Sequence, residues 1–234
     1  LWENPFKNFI DAFLINSKFP VNFEFLFNGS FISTTSVPYY YYIQWILIST
    51  PIINIFLFFI GIGFFIFNFK KKFQKFDLFF KQNLLIFLIL FSVIFLTIFT
   101  NFTSYDGWRH LYFIYPLILF FSIHGIQQIL LFKLNKINYF LIFLLVSSIF
   151  YNLHWIIKNH PYQNVYFNLF AGKDLTNRFQ MDYWGLSYKQ NLKKIITNES
   201  KNEKIKIYNL SSNKLFYHSL ALDDKERETM IIVD

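Results

Sequence analysis

Asp106, Arg109 and His110 place a carboxylate, a guanidinium and an imidazole within five residues, directly ahead of the apolar run 111–132. If residues 108–110 open a membrane helix, its free backbone N–H groups and the positive end of its dipole join Arg109 in favouring one bound anion. A phosphate there would make a charge-assisted, bidentate contact with Arg109, and His110 could add a hydrogen bond. The competing reading is an i,i+3 salt bridge between Asp106 and Arg109 at the membrane surface, with Arg109 snorkelling toward headgroups. Two later clusters are polar and aromatic: His160 with Tyr162, and Asp182 with Tyr183 and Trp184. Their rings suit packing on sugar or lipid, while Asp182 suits equally a turn carboxylate that bonds nearby backbone. There is no Cys, and the five histidines lack ligand spacing, so no metal site is expected and no cofactor is implied.

These groups sit among long apolar runs. Of 234 residues, 54% are hydrophobic and only 15% charged, which places the chain among α-helical polytopic membrane proteins. Its net charge of +8 comes largely from lysines in short segments between apolar runs. Membrane topology accounts for them better than a nucleic-acid partner does.

Four spans are expected, at about 42–67, 83–100, 111–132 and 139–157. Residues 1–41 read as an outer-face interfacial segment whose amphipathic helix starts at Asn4-Pro5 and groups Phe6, Ile10, Phe13 and Leu14 on one face. Asn28-Gly29 marks a turn. Pro51 should kink the first span and Asn54 needs a partner in the bundle. Lys70, Lys71, Lys72, Lys75 and Lys81, opposed only by Asp77, mark an inner loop by the positive-inside rule. Asn101 to His110 then form an outer loop. Pro116 should kink the third span, and His124 and Gln127 are expected to hydrogen-bond within the bundle. Lys133 and Lys136 mark the second inner turn, so both ends of the chain lie outside. Residues 158–234 read as an outer-face soluble α/β segment. It has a helix carrying Leu186, Leu192, Ile195 and Ile196, a strand over 204–210, a capped helix over 211–221 and a strand over 230–233. A chain that opens on Leu1 and stops just after a strand-like run is expected to be a piece of a longer protein.

The order of motifs carries a resemblance. Val37-Pro-Tyr-Tyr-Tyr-Tyr followed by Thr50-Pro51, then Tyr105-Asp-Gly-Trp-Arg-His110, His160-Pro-Tyr-Gln-Asn-Val-Tyr-Phe-Asn168 and Asp182-Tyr-Trp-Gly-Leu-Ser-Tyr188 resembles the C-terminal half of bacterial GT-C class membrane glycosyltransferases. These are related to protein O-mannosyltransferases and aminoarabinose transferases. The resemblance implies an inner-membrane enzyme that moves a sugar from a polyprenyl-phosphate carrier to a hydroxyl of a lipid, glycan or protein on the periplasmic side. It implies Arg109 and His110 as contacts to the donor phosphate. Tyr105, Asp106, His160, Tyr162, Asp182, Tyr183 and Trp184 become pocket or scaffold residues. It also implies a catalytic carboxylate in an earlier outer loop, so this chain alone is expected to be inactive. The alternative from another class is a non-enzymatic transporter or flippase component handling an anionic lipid.

Overall fold

The structure, a computed structural model, describes residues 4–17, 22–100, 102–104, 106–131, 135–199, 204–209 and 215–233. Tyr105, the side chains of Phe13 and Leu14, and the cap expected at 211–213 lie outside the described residues. Two compact units form: Leu1–Lys158 with Tyr166–Gln180, and Asn159–Val165 with Met181–Asp234.

The first unit begins with α1 (Pro5–Ser17). Asn4 caps it, its side-chain oxygen accepting from the Lys7 N–H at 3.2 Å. Phe6 and Ile10 are exposed on this helix. Strands β1 (Glu24–Phe27) and β2 (Ser30–Ser33) pair antiparallel around Asn28 and Gly29. Both turn residues have positive φ, 52° and 84°, so the Asn-Gly signal becomes a tight hairpin.

Helices α2 (Tyr41–Ser49) and α3 (Ile52–Phe67) replace the single kinked span expected over 42–67, and they bend by 119° across Thr50-Pro51. Pro51 supplies no N–H for the Leu47 carbonyl, so the ladder stops there. α3 packs along α6 (Tyr115–Leu131) through two glycines. A Cβ on Gly61 would stand 1.9 Å from the Phe121 carbonyl oxygen, and one on Gly125 would stand 2.3 Å from that of Leu57. Asn54 finds its bundle partner in the Tyr115 hydroxyl at 3.2 Å. Ser122 donates to the Asn54 carbonyl at 2.9 Å.

The lysine-rich stretch is helical rather than an open loop. It forms α4 (Phe69–Lys75) and closes on Phe76 in a left-handed conformation. Asp77 then accepts the Phe80 N–H at 2.7 Å, which starts α5 (Leu78–Phe99) five residues ahead of the expected 83. Pro116 does not break the span. It lies where a 3-10 turn over Arg109–Ile114 passes into α6, and Arg109–Leu131 continues as one candidate span. His124 is buried with the Gln127 side chain as its polar partner, and beside it the Gly125 backbone comes into close contact with α3. α7 (Asn135–Lys158) begins four residues earlier than expected.

Among the described residues three helices are long and apolar enough to cross a membrane: Leu78–Phe99, Arg109–Leu131 and Asn138–Lys158. The bent α2–α3 pair passes the same test only when taken together. None of the membrane-length window of α7 is buried within the chain, and α5 exposes apolar side chains along its length. Such surfaces are stable in hydrocarbon, where each helix satisfies its own backbone. The chain is a helical membrane protein.

The second unit carries α8 (Tyr188–Glu199), β3 (Ile205–Tyr208), α9 (Leu215–Ser219), α10 (Asp224–Glu228) and β4 (Met230–Val233). β3 and β4 pair in parallel, Ile205 opposite Met230. Leu192, Leu215, Leu222 and Met230 form its core, with Ile196 and Ile207 packed against them.

Candidate functional site

Backbone geometry builds the Asp106–His110 loop. Asp106 and Gly107 take consecutive positive φ values, 56° and 69°, which reverse the chain ahead of the 3-10 turn. Gly107 lies over the Trp45 ring, where an added Cβ would be in contact at 3.6 Å. The reversal buries Trp108, whose indole N–H donates to the Ser49 hydroxyl at 2.7 Å. Ser49 in turn donates to the Trp45 carbonyl at 2.6 Å. Upstream, the Ser104 N–H donates to the Thr34 carbonyl at 2.9 Å. The loop is thus fastened to the hairpin on one side and to the end of α2 on the other.

Arg109 is brought to Asp106, Nη1 to Oδ2 at 3.5 Å, with side-chain exposures of 21% and 23%. Its Nε lies 3.5 Å from His110 Nε2, and the His110 ring meets Phe102 edge-on at 6.1 Å. The salt-bridge reading of the sequence is therefore present in the geometry. The expected α-helical N-terminus is not: the first turn is 3-10 and six residues long, so any anion here would rest on Arg109 itself.

One position that holds the site's framework went unassigned in the sequence. Asn168, in the first later motif, is buried and sends its side-chain amide to the Leu47 and Thr50 carbonyls, both at 2.6 Å. Its backbone N–H donates to the Ile48 carbonyl at 2.8 Å, and its side-chain oxygen accepts the Phe170 N–H at 2.8 Å. Leu47 is the carbonyl that Pro51 leaves without a donor, so Asn168 caps α2 from a distant segment. The available signal was the pairing of a helix-breaking proline with an Asn in a motif of aromatic residues. Around this clasp Trp45 meets Phe167 and Phe179 at 5.7 and 5.3 Å. Asn28 and Gln44 exchange two side-chain amide bonds at 2.8 Å, and Arg178 donates to Asn28 at 3.2 Å.

The end of α2 also borders an apolar groove of about 290 Å³. Ile43, Leu47 and Thr50 of this region line it with Phe58, Ile94 and Ile118, and it presents no polar surface. A second space of about 380 Å³ lies between α3, α6 and α7 and carries Asn54, Ser122, Ser148 and Asn152.

The remaining sequence candidates belong to the second unit. His160 Nδ1 lies 2.8 Å from the Gln163 side-chain amide, and the Tyr162 N–H donates to the Asn159 carbonyl at 2.6 Å. Asp182 is committed to local backbone, accepting from the N–H groups of Leu186 at 2.8 Å and Ser187 at 3.0 Å and from the Ser187 hydroxyl at 2.5 Å. That is the turn-carboxylate reading. Tyr183 and Trp184 meet edge-to-face at 5.3 Å, with Trp184 exposed. Among the described residues no three His, Asp or Glu side chains converge to hold a metal. Comparison with family models, curated proteins and solved structures gives no match.

Proposed function

We propose that this chain is the lipid-handling part of an integral-membrane glycosyltransferase of the GT-C kind. It moves a sugar from a polyprenyl-phosphate carrier to a hydroxyl of a lipid, glycan or protein. The observation that carries the reading is the link between a cation and a hydrocarbon groove. Trp108, next to Arg109, bonds Ser49, and the following residue, Thr50, lines the apolar groove. Along the other wall, Arg109 and Ile118 share one continuous helix and stand about 16 Å apart at 3-10 and α-helical rises. A phosphate at Arg109 with a polyprenyl tail in the groove matches that layout.

The transfer breaks the bond between the sugar's anomeric carbon and the carrier phosphate and forms one to the acceptor oxygen. A base must take the hydroxyl proton and a cation must stabilise the departing phosphate. Arg109 suits the second role because its charge does not titrate, and charge gathering on the phosphate strengthens the contact in the transition state. His110 adds a hydrogen bond. His160, Tyr162, Tyr183 and Trp184 are scaffold residues of the second unit in this reading. Counting α2–α3 as one broken span gives four crossings, an inner lysine turn at α4 and both ends on the outer side of a bacterial inner membrane.

Native mass spectrometry with polyprenyl phosphate tests the reading. Wild type should retain the lipid, and Arg109→Ala should release it. Equal retention by both proteins returns Arg109 to interfacial anchoring and removes the donor site from this loop. The polar space holding Asn54, Ser122, Ser148 and Asn152 favours a second reading, a transporter or flippase component for an anionic lipid. Movement of that lipid across vesicles without sugar transfer by the complete protein would select it.

A further inference from the structure

The turn joining α3 to α5 carries Lys70, Lys71, Lys72, Lys75 and Lys81, and among the described residues none of them forms an ion pair. Asp77, the one carboxylate in the stretch, is spent on the N-cap of α5. Nothing local therefore neutralises five cations placed where an apolar helix pair ends. The same turn exposes Phe73, Phe76, Leu78 and Phe79. Lys72 stands over the Phe79 ring at 5.2 Å and Lys81 over Phe76 at 4.8 Å. Phe69 and Phe73 stack at 5.9 Å, and Phe69 meets Phe80 at 5.3 Å. Stacking makes a rigid aromatic base from which Lys70, Lys71 and Lys75 project as exposed side chains.

We propose that this turn is a binding surface for anionic phospholipid headgroups, selecting them over zwitterionic ones. Exposed rings enter the headgroup–acyl boundary while the ammonium groups meet lipid phosphates, the arrangement of an interfacial basic-aromatic segment. The charge complementarity is one-sided: Lys70, Lys71 and Lys75 project outward, Lys72 and Lys81 stand over rings, and the one acid of the stretch, Asp77, caps α5. Each lysine near an anionic surface contributes roughly fivefold in affinity. This inference is independent of the Arg109 loop and stands or falls without it.

The test uses the full chain in mild detergent, with native mass spectrometry in matched phosphatidylglycerol and phosphatidylcholine. Wild type should carry phosphatidylglycerol at far lower lipid concentration than phosphatidylcholine. The triple variant Lys70→Gln, Lys71→Gln, Lys75→Gln leaves the two ring-facing lysines in place and should lose about a hundredfold of that preference. A control triple, Lys189→Gln, Lys194→Gln, Lys206→Gln, removes the same charge from the second unit and should keep it. Equal retention of both lipids by wild type, survival of the preference in the first triple, or its loss in the control would each overturn the proposal. Should the first triple not fold, salt decides on wild type alone: the preference must fall steeply with ionic strength, and persistence at high salt overturns it.

Discussion

Asn168→Ala should unfasten the end of α2. The substitution removes two amide bonds of 2.6 Å to the Leu47 and Thr50 carbonyls, in a buried site where water does not replace them. A buried carbonyl left without a donor costs about 1–3 kcal/mol, so the pair predicts about 2–6 kcal/mol. For a chain of this size that is a fall of about 4–24 °C in Tm. Thermal unfolding in detergent, followed by tryptophan fluorescence, reads it, because Trp108 hangs on Ser49 two residues before Pro51. Asn168→Asp keeps the size but turns carboxylate oxygen toward carbonyl oxygen, and should be at least as damaging. Asn177→Ala supplies the contrast: its bond to Asp174 is exposed, and its loss should stay within about 0.5 kcal/mol. A Tm for Asn168→Ala within about 1 °C of wild type, or a stable Asn168→Asp, would refute the capping argument.

Three further outcomes follow from the geometry. Gly61→Ala drives a methyl group into the Phe121 carbonyl and should cost about 1–3 kcal/mol, whereas Gly63→Ala, with open space around it, should be neutral or gain up to about 1 kcal/mol; denaturant or thermal unfolding compares them. Asp106→Asn removes the carboxylate 3.5 Å from Arg109 and should tighten retention of polyprenyl phosphate, and weaker retention would argue against an anion at Arg109. In the second unit the Lys193–Glu226 pair at 3.0 Å ties α8 to α10. A hydrogen bond from Lys193, then one from the Asp223 backbone, holds the Glu226 carboxyl below its usual range, and the bond to Glu226 raises Lys193. The Glu226 contribution is present above an unfolded value of 4.5 and lost as pH falls through the lower folded value. The Lys193 contribution is present below 10.5 and lost as pH rises through the higher folded value. Glu226→Gln should therefore unfold more readily than wild type at neutral pH, with the gap closing at both extremes, and a gap independent of pH would exclude this pair as its cause.

Composition and hydrophobic run length determined the class of this protein, because burying long apolar segments leaves few solutions other than membrane helices. Local rules placed several particulars as well. Asn4-Pro5 starts α1, Asn28-Gly29 turns the hairpin, and Asp106 pairs with Arg109 three residues on. The strand-like run over 230–233 forms a strand. What the sequence left open depended on partners far along the chain. Pro51 announced a break, but the 119° bend is held by Asn168, more than a hundred residues later. Gly61 and Gly125 are unremarkable as letters and become the contact of α3 with α6 only when two backbones meet. The span does begin at Arg109, but its first turn is 3-10, and ahead of it the positive φ of Asp106 and Gly107 sets Gly107 against the Trp45 ring. Turns and span lengths are settled by neighbours within a few residues; the bend is settled by a distant side chain, the Asn168 amide that meets the carbonyls Pro51 cannot serve, and the α3–α6 approach by two backbones meeting where neither carries a Cβ.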